Sequence, residues 1–144
     1  MSRTYIFKAL RLLVRERARH CCEYCGYPEA FAFYSHHVDH IISEKHGGGT
    51  YDGNLALACR SCNLNKGSDI AALVSGDREP VRLYNPRYDR WKDHFVLVDN
   101  SIQPLSKIGY GTALLLQYNH LDRVLERQLL VSRGLWVAPV GKVE

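Results

Sequence analysis

Four of the chain's five cysteines form two Cys-x-x-Cys pairs, Cys22/Cys25 and Cys59/Cys62, with thirty-three residues (26 to 58) between them. Two thiolates at that spacing reach one ion, and four satisfy the tetrahedral preference of Zn²⁺ at about 2.3 Å. Four sulfur ligands leave no position for water, so such a zinc is structural; unligated core thiols are the competing reading. Cys21 is the spare thiol. Between the pairs stands His-Val-Asp-His (37–40). Hydrolysis of a phosphodiester takes a base for the attacking water and a divalent cation to neutralise developing charge. His40 supplies the base and Asp39 a hard oxygen ligand. Asn63, directly after Cys62, offers a second oxygen, and Lys66, three residues on along a helix, would share its face and meet a phosphate. Asn54 bonds loop backbone and fixes the pose of His40.

These groups act together only if the chain between the cysteines folds back on itself. Residues 30–42, AFAFYSHHVDHII, are rich in aromatic and β-branched side chains and read as a strand. The following SEKHGGGTYDGN is turn chemistry throughout, and Leu55 to Ala58 make a short second strand. A helix starts inside the second knuckle and runs through Lys66 to Gly67 and Ser68. Neighbours on a regular strand face opposite sides, so Asp39 and His40 share a site only if the first strand ends or twists there. Gly26 permits the tight turn of the first knuckle.

Cys-x-x-Cys, Val-Asp-His-Ile, Gly-Gly, Asn-Leu and Cys-x-x-Cys-Asn-x-x-Lys, over residues 22 to 67, resemble the HNH endonuclease family in its four-cysteine zinc subgroup. The resemblance implies a ββα-metal (His-Me finger) core within an α+β fold, structural zinc on Cys22, Cys25, Cys59 and Cys62, and DNA as substrate. It implies His40 as general base, Asp39 and Asn63 as ligands of a catalytic Mg²⁺ or Mn²⁺, and Asn54 as the orienting residue. Asn63 stands where many members have His, and members that resolve branched DNA also have Asn there; Ser43 stands where many have Pro. His37 resembles a His that assists the metal or phosphate in junction-resolving members; His36 and His46 are weaker candidates. A non-catalytic zinc module that binds nucleic acid, or an RNA-cutting nuclease with the same site, is the alternative.

The flanks set the remaining limits. At 144 residues, 46% hydrophobic, the chain suffices for one core, and we expect one domain over 1–144, with a nuclease core at 20–68 and an extension at 69–144 packing on it. The charge of +4 is mild, yet six Lys or Arg against one Glu fall in the first twenty residues. There, Ile6, Leu10, Leu13, Val14 and Ala18 form one row of an amphipathic helix and Arg11, Arg15 and Arg19 another. Those arginines, with Lys66 and Arg60, are candidate DNA contacts, a solvated Arg face being the competing reading. No apolar run suits a membrane span or a signal peptide, and unpaired thiols suit a reducing, cytoplasmic location.

Beyond Ser68 a helix end and turn lead to an irregular aromatic stretch and one or two strands. Tyr84, Tyr88, Trp91 and Phe95 are expected to pack on the core, Arg87, Arg90 and Lys92 to be available to DNA, and His94 to serve either purpose. A last helix is expected from Thr112, as its cap, to Ser132, ended by Gly134. Leu114, Tyr118, Leu121, Leu125 and Leu129 would line its core face, wide enough to admit a homodimer.

Overall fold

The computed structural model describes residues 4–143. After α1 (Lys8–Arg17), the strands β1 (His37–His40) and β2 (Leu55–Ala58) form an antiparallel hairpin that pairs Asp39 with Ala56 and His40 with Leu55. Helix α2 (Arg60–Lys66) follows at once, giving the order strand, strand, helix. The extension adds a small sheet of β3 (Ala71–Ala72) and β4 (Val81–Arg82), the one-turn helix α3 (Trp91–His94), and a hairpin of β5 (Phe95–Val98) and β6 (Ser101–Pro104). Helices α4 (Lys107–Leu115) and α5 (Leu121–Ser132) complete it. The result is a small mixed α/β protein with short two-stranded sheets.

β2 is buried on both faces, and its period-2 alternation divides the core. Leu55 and Leu57 join Val14, Ile6, Leu10 and Ala18 under α1, whereas Ala56 and Ala58 join the cysteines, Tyr24 and the aromatic residues of the extension. Of the apolar row expected on one helix, Leu10 and Val14 lie on α1 and face this core, Ile6 and Ala18 pack there from just beyond its ends, and Leu13 is exposed. Arg17 fastens the helix, donating to Asp52 O at 3.0 Å and Leu55 O at 2.7 Å.

The first strand is shorter than expected. Ahead of His37 the chain makes a single 3₁₀ turn at Glu29–Phe31 and then loops, because the Glu29 carboxylate accepts the His36 amide at 2.7 Å and pins the loop ends together. The aromatic residues read as strand are instead exposed, Phe33 at 92%. In the β5–β6 hairpin Asp99 and Asn100 both take positive φ (49° and 70°), the backbone a two-residue turn of matching twist requires.

The single helix expected from Thr112 to Ser132 is two. α4 starts at Lys107, capped by Ser106 Oγ, which accepts the Gly109 amide at 3.0 Å; Thr112 lies inside it and accepts the Tyr84 amide instead. The break has side-chain causes. Tyr118 donates to Tyr24 O at 2.6 Å, and the Asn119 amide brackets Ile102 through its N–H and C=O, both at 2.8 Å. With Gln117 in the left-handed region these bonds redirect the chain, and α5 restarts with His120 as its cap. Leu114, Leu121, Leu125 and Leu129 are exposed, and α5 turns Arg127 and Leu130 inward. The expected continuous core stripe does not exist, and a homodimer through it is not supported. Gly134 ends α5 at φ +67°, as expected. Among the described residues no helix is long and apolar enough to cross a membrane.

Candidate functional site

The four cysteines come from the turn before the hairpin and from the start of α2, and β2 fixes the distance between them. Their sulfurs all lie within 4.8 Å of one another and are buried, with Cys25 and Cys59 Sγ 3.6 Å apart. A tetrahedron of sulfurs at about 2.3 Å from zinc has edges of about 3.8 Å, so the cluster fits that ion. Each knuckle turns a backbone amide onto its first sulfur, Cys25 N–H to Cys22 Sγ and Cys62 N–H to Cys59 Sγ, both at 3.4 Å. Hydrogen bonds from Cys22, Cys59 and Cys62 lower the Cys25 thiol well below its ordinary value, whereas burial raises Cys22 and Cys62. The cluster suggests a structural zinc.

A cleft of about 490 Å³ beside β1 is lined by Asp39, His40 and Asn63, together with His37, Glu44 and Lys45. β1 ends at His40, which lets adjacent strand residues face one space. Asn54 reaches across the loop, donating to Ile42 O at 3.0 Å and Gly49 O at 2.8 Å and accepting the Ile42 amide at 2.9 Å. Gly48 makes that clamp feasible: a Cβ there would stand 1.7 Å from Ile42 O and 2.8 Å from Asn54 Nδ2.

His40 Nε2 lies 2.8 Å from Thr50 Oγ1, whose hydroxyl donates to Glu44 Oε1 at 3.2 Å. Asp39 is 7% exposed, and its Oδ2 accepts from Lys66 Nζ at 3.0 Å and from the Tyr24 hydroxyl at 3.1 Å. Burial raises its carboxyl above the usual range, although Lys66 and Tyr24 pull in the opposite direction. Among the described residues Asp39 Oδ1 and the Asn63 side chain make no hydrogen bond. An acidic and an amide oxygen donor on one cleft have the chemistry a hard divalent cation takes.

Several expected contacts lie elsewhere. Lys66 is 2% exposed and faces inward, bonding His40 O as well as Asp39, so it presents no ammonium to a phosphate at the surface. Pairing with the Asp39 carboxylate and the His40 carbonyl offsets the cost of burying that side chain. Arg15 pairs with Glu29 and donates to His36 O, Arg11 donates to Ile6 O and remains exposed, and Arg19 is exposed past the end of α1. Arg60 lies 4.3 Å over the Tyr34 ring and lines a second cleft with the exposed aromatic loop. His36 is buried against Tyr27 O, His46 is exposed, and His94 bonds Ser106. Of the extension's residues, Arg87 is used by Glu23, Arg90 by Asp93, and Tyr88 is exposed, while Tyr84, Trp91 and Phe95 are core.

Thr50, Glu44, Lys45 and Tyr24 had no local signal, since each meets the site through a loop or turn contact and no motif spacing marks it. No curated protein and no solved structure is significantly similar to the chain. The family model described as HNH endonuclease matches residues 22–69, a third of the chain. Over that stretch the chain is similar to HNH endonucleases, and its four clustered cysteines fit the family's four-cysteine subgroup.

Proposed function

We propose that the protein is a metal-dependent DNA endonuclease built on a ββα-metal core within one domain, with His40 as general base. The observation that carries this reading is the convergence of Asp39, His40 and Asn63 on one cleft, behind a loop that Asn54 fixes. Thr50 spends its hydroxyl proton on Glu44, so its oxygen accepts the Nε2–H of His40. That leaves Nδ1 as the nitrogen that takes a proton from the attacking water. Asp39 and Asn63 would hold Mg²⁺ or Mn²⁺, which supplies charge stabilisation at the scissile phosphate and leaving oxygen when bound. Lys66 keeps a positive charge on Asp39 Oδ2 and also ties the His40 backbone carbonyl, so one ammonium sets the spacing of both residues. His37 and Lys45 edge the cleft, and with the exposed Arg11, Arg19, Arg60 and Lys92 they are among the side chains available for DNA. Five free thiols accord with a reducing, cytoplasmic setting.

A non-catalytic zinc module is the second reading, favoured by one observation: the ammonium of Lys66 already neutralises Asp39. Nicking of supercoiled plasmid by zinc-loaded protein, with Mg²⁺, Mn²⁺ or EDTA, separates the two. The nuclease requires added cation and loses about 10²-fold or more in rate in His40→Ala. Equal cutting by the variant, or no cutting of plasmid, branched DNA or RNA, would move the binding module forward; cutting of RNA alone would make it a ribonuclease.

A further inference from the structure

The zinc centre has a neighbour that lies outside the matched segment. Arg123, on α5, directs Nη2 to Cys62 Sγ at 3.1 Å and approaches Cys59 Sγ at 3.8 Å. Its other terminal nitrogen is fixed by the carbonyls at the break between α4 and α5, Leu116 O at 2.5 Å and Gln117 O at 3.3 Å. The guanidinium also lies 5.8 Å from the centroid of the Tyr118 ring, the residue that holds the break in place.

The electrostatics of the centre call for such a group. Four thiolates around one divalent ion carry roughly two net negative charges. Here they are buried behind Tyr24, Trp91 and Tyr118, where unbalanced charge is costly. The two knuckle amides supply hydrogen bonds but no charge. Arg127 lies close by in the same cleft, yet its terminal nitrogens are used by Asn100 O and Tyr118 O. Among the described residues Arg123 is thus the cation whose N–H groups meet the sulfurs directly.

We propose that Arg123 is an outer-sphere residue of the zinc centre, donating from the C-terminal extension to the thiolates of Cys59 and Cys62 and so holding the ion in the nuclease segment. A planar guanidinium spans two carbonyls and two sulfurs at once, whereas an ammonium on a flexible stem meets only some of them. Zinc retention then depends on α5. The inference rests on the zinc assignment and is independent of whether His40 cuts anything.

The test uses the full chain. Zinc content is measured first, then the rate of zinc transfer to the chelating dye 4-(2-pyridylazo)resorcinol, for the unaltered protein, Arg123→Gln, Arg123→Lys and the exposed α5 control Gln128→Ala. The expected result is zinc loss about 10 to 100-fold faster in Arg123→Gln, the range for removal of a ligand's outer partner. Arg123→Lys falls between, and Gln128→Ala matches the unaltered chain. Folded Arg123→Gln that releases zinc within about twofold of the unaltered rate would overturn the proposal. If Arg123→Gln does not fold, Arg123→Lys loaded with Co²⁺ decides. Displaced sulfur-to-cobalt charge-transfer bands support the contact, and unchanged bands with unchanged release rates overturn it. A chain without stoichiometric zinc would remove the assignment beneath the proposal while leaving the nicking assay to judge the nuclease reading.

Discussion

The hydroxyl of Thr50 has one proton, and in the nuclease reading it goes to Glu44, which assigns the hydrogen of His40 to Nε2. Thr50→Val keeps the shape and removes the acceptor. In the nuclease reading kcat drops by about tenfold, the value of one lost hydrogen bond of about 1.4 kcal/mol, with KM unchanged. Thr50→Ser restores most of the rate, and a Thr50→Val enzyme as fast as the original would show that the contact does not orient the base. At this scale motif spacing picked out side chains that the structure gathers: the cysteine pairs into one buried cluster, Asp39, His40 and Asn63 onto one cleft, and Asn54 onto the loop beside it, their roles remaining part of the proposal. Lys66 was misjudged because spacing along a helix gives its face but not what that face meets. The α2 face bearing Lys66 looks onto a buried carboxylate.

Among the elements, the loop between β1 and β2 is the most constrained. Gly48→Ala must push Ile42 O or the Asn54 amide aside, because the added carbon has no room on the backbone side. Such overpacking costs about 1 to 3 kcal/mol, a fall in melting temperature of roughly 3 to 10 °C. Calorimetry of the zinc-loaded variant checks this, and an unshifted transition would mean the loop yields without cost. α1, β2 and α2 were legible because each has a period and a nearby terminator. The helix break at 116–120 was not. Leu114, Tyr118, Leu121, Leu125 and Leu129 continue a three- and four-residue step straight through, and the bonds that win, from Tyr118 and Asn119, go to residues 24 and 102, which no local window contains.

For the whole molecule, stability is tied to acid through two ion-pair groups and the thiolates. Burial alone would raise Glu29, but the His36 amide and Arg15 outweigh it and lower its carboxyl from an ordinary 4.5. Asp89 is likewise lowered from 3.8 despite burial, by its bonds to Arg82 and the Asn85 amide. Carboxyls depressed on folding contribute stability that is fully present above those ordinary values and is lost as pH falls through the folded ones. Protonation of the cysteines opposes zinc binding in the same direction. Urea unfolding is therefore expected at a lower midpoint at pH 3.5 than at pH 7, and EDTA at pH 7 lowers it as well. A midpoint unmoved by either would place the stability elsewhere.

Trp91 and Tyr118 both donate to Tyr24 O, and Trp136 donates to Cys25 O, across sequence separations of 67, 94 and 111 residues. A ribosome makes the chain from the N-terminus at about 5 to 20 residues per second. The cysteines and the cleft residues thus emerge several seconds before the side chains that close over the first knuckle. During that interval those carbonyls lack these donors, and the Cys25 carbonyl gains its own only once Trp136 has been made. The segment that holds the cysteines and the cleft residues is therefore covered only after residue 136 has been made, and a chain terminated before it carries the cleft residues without that cover over the cysteine cluster.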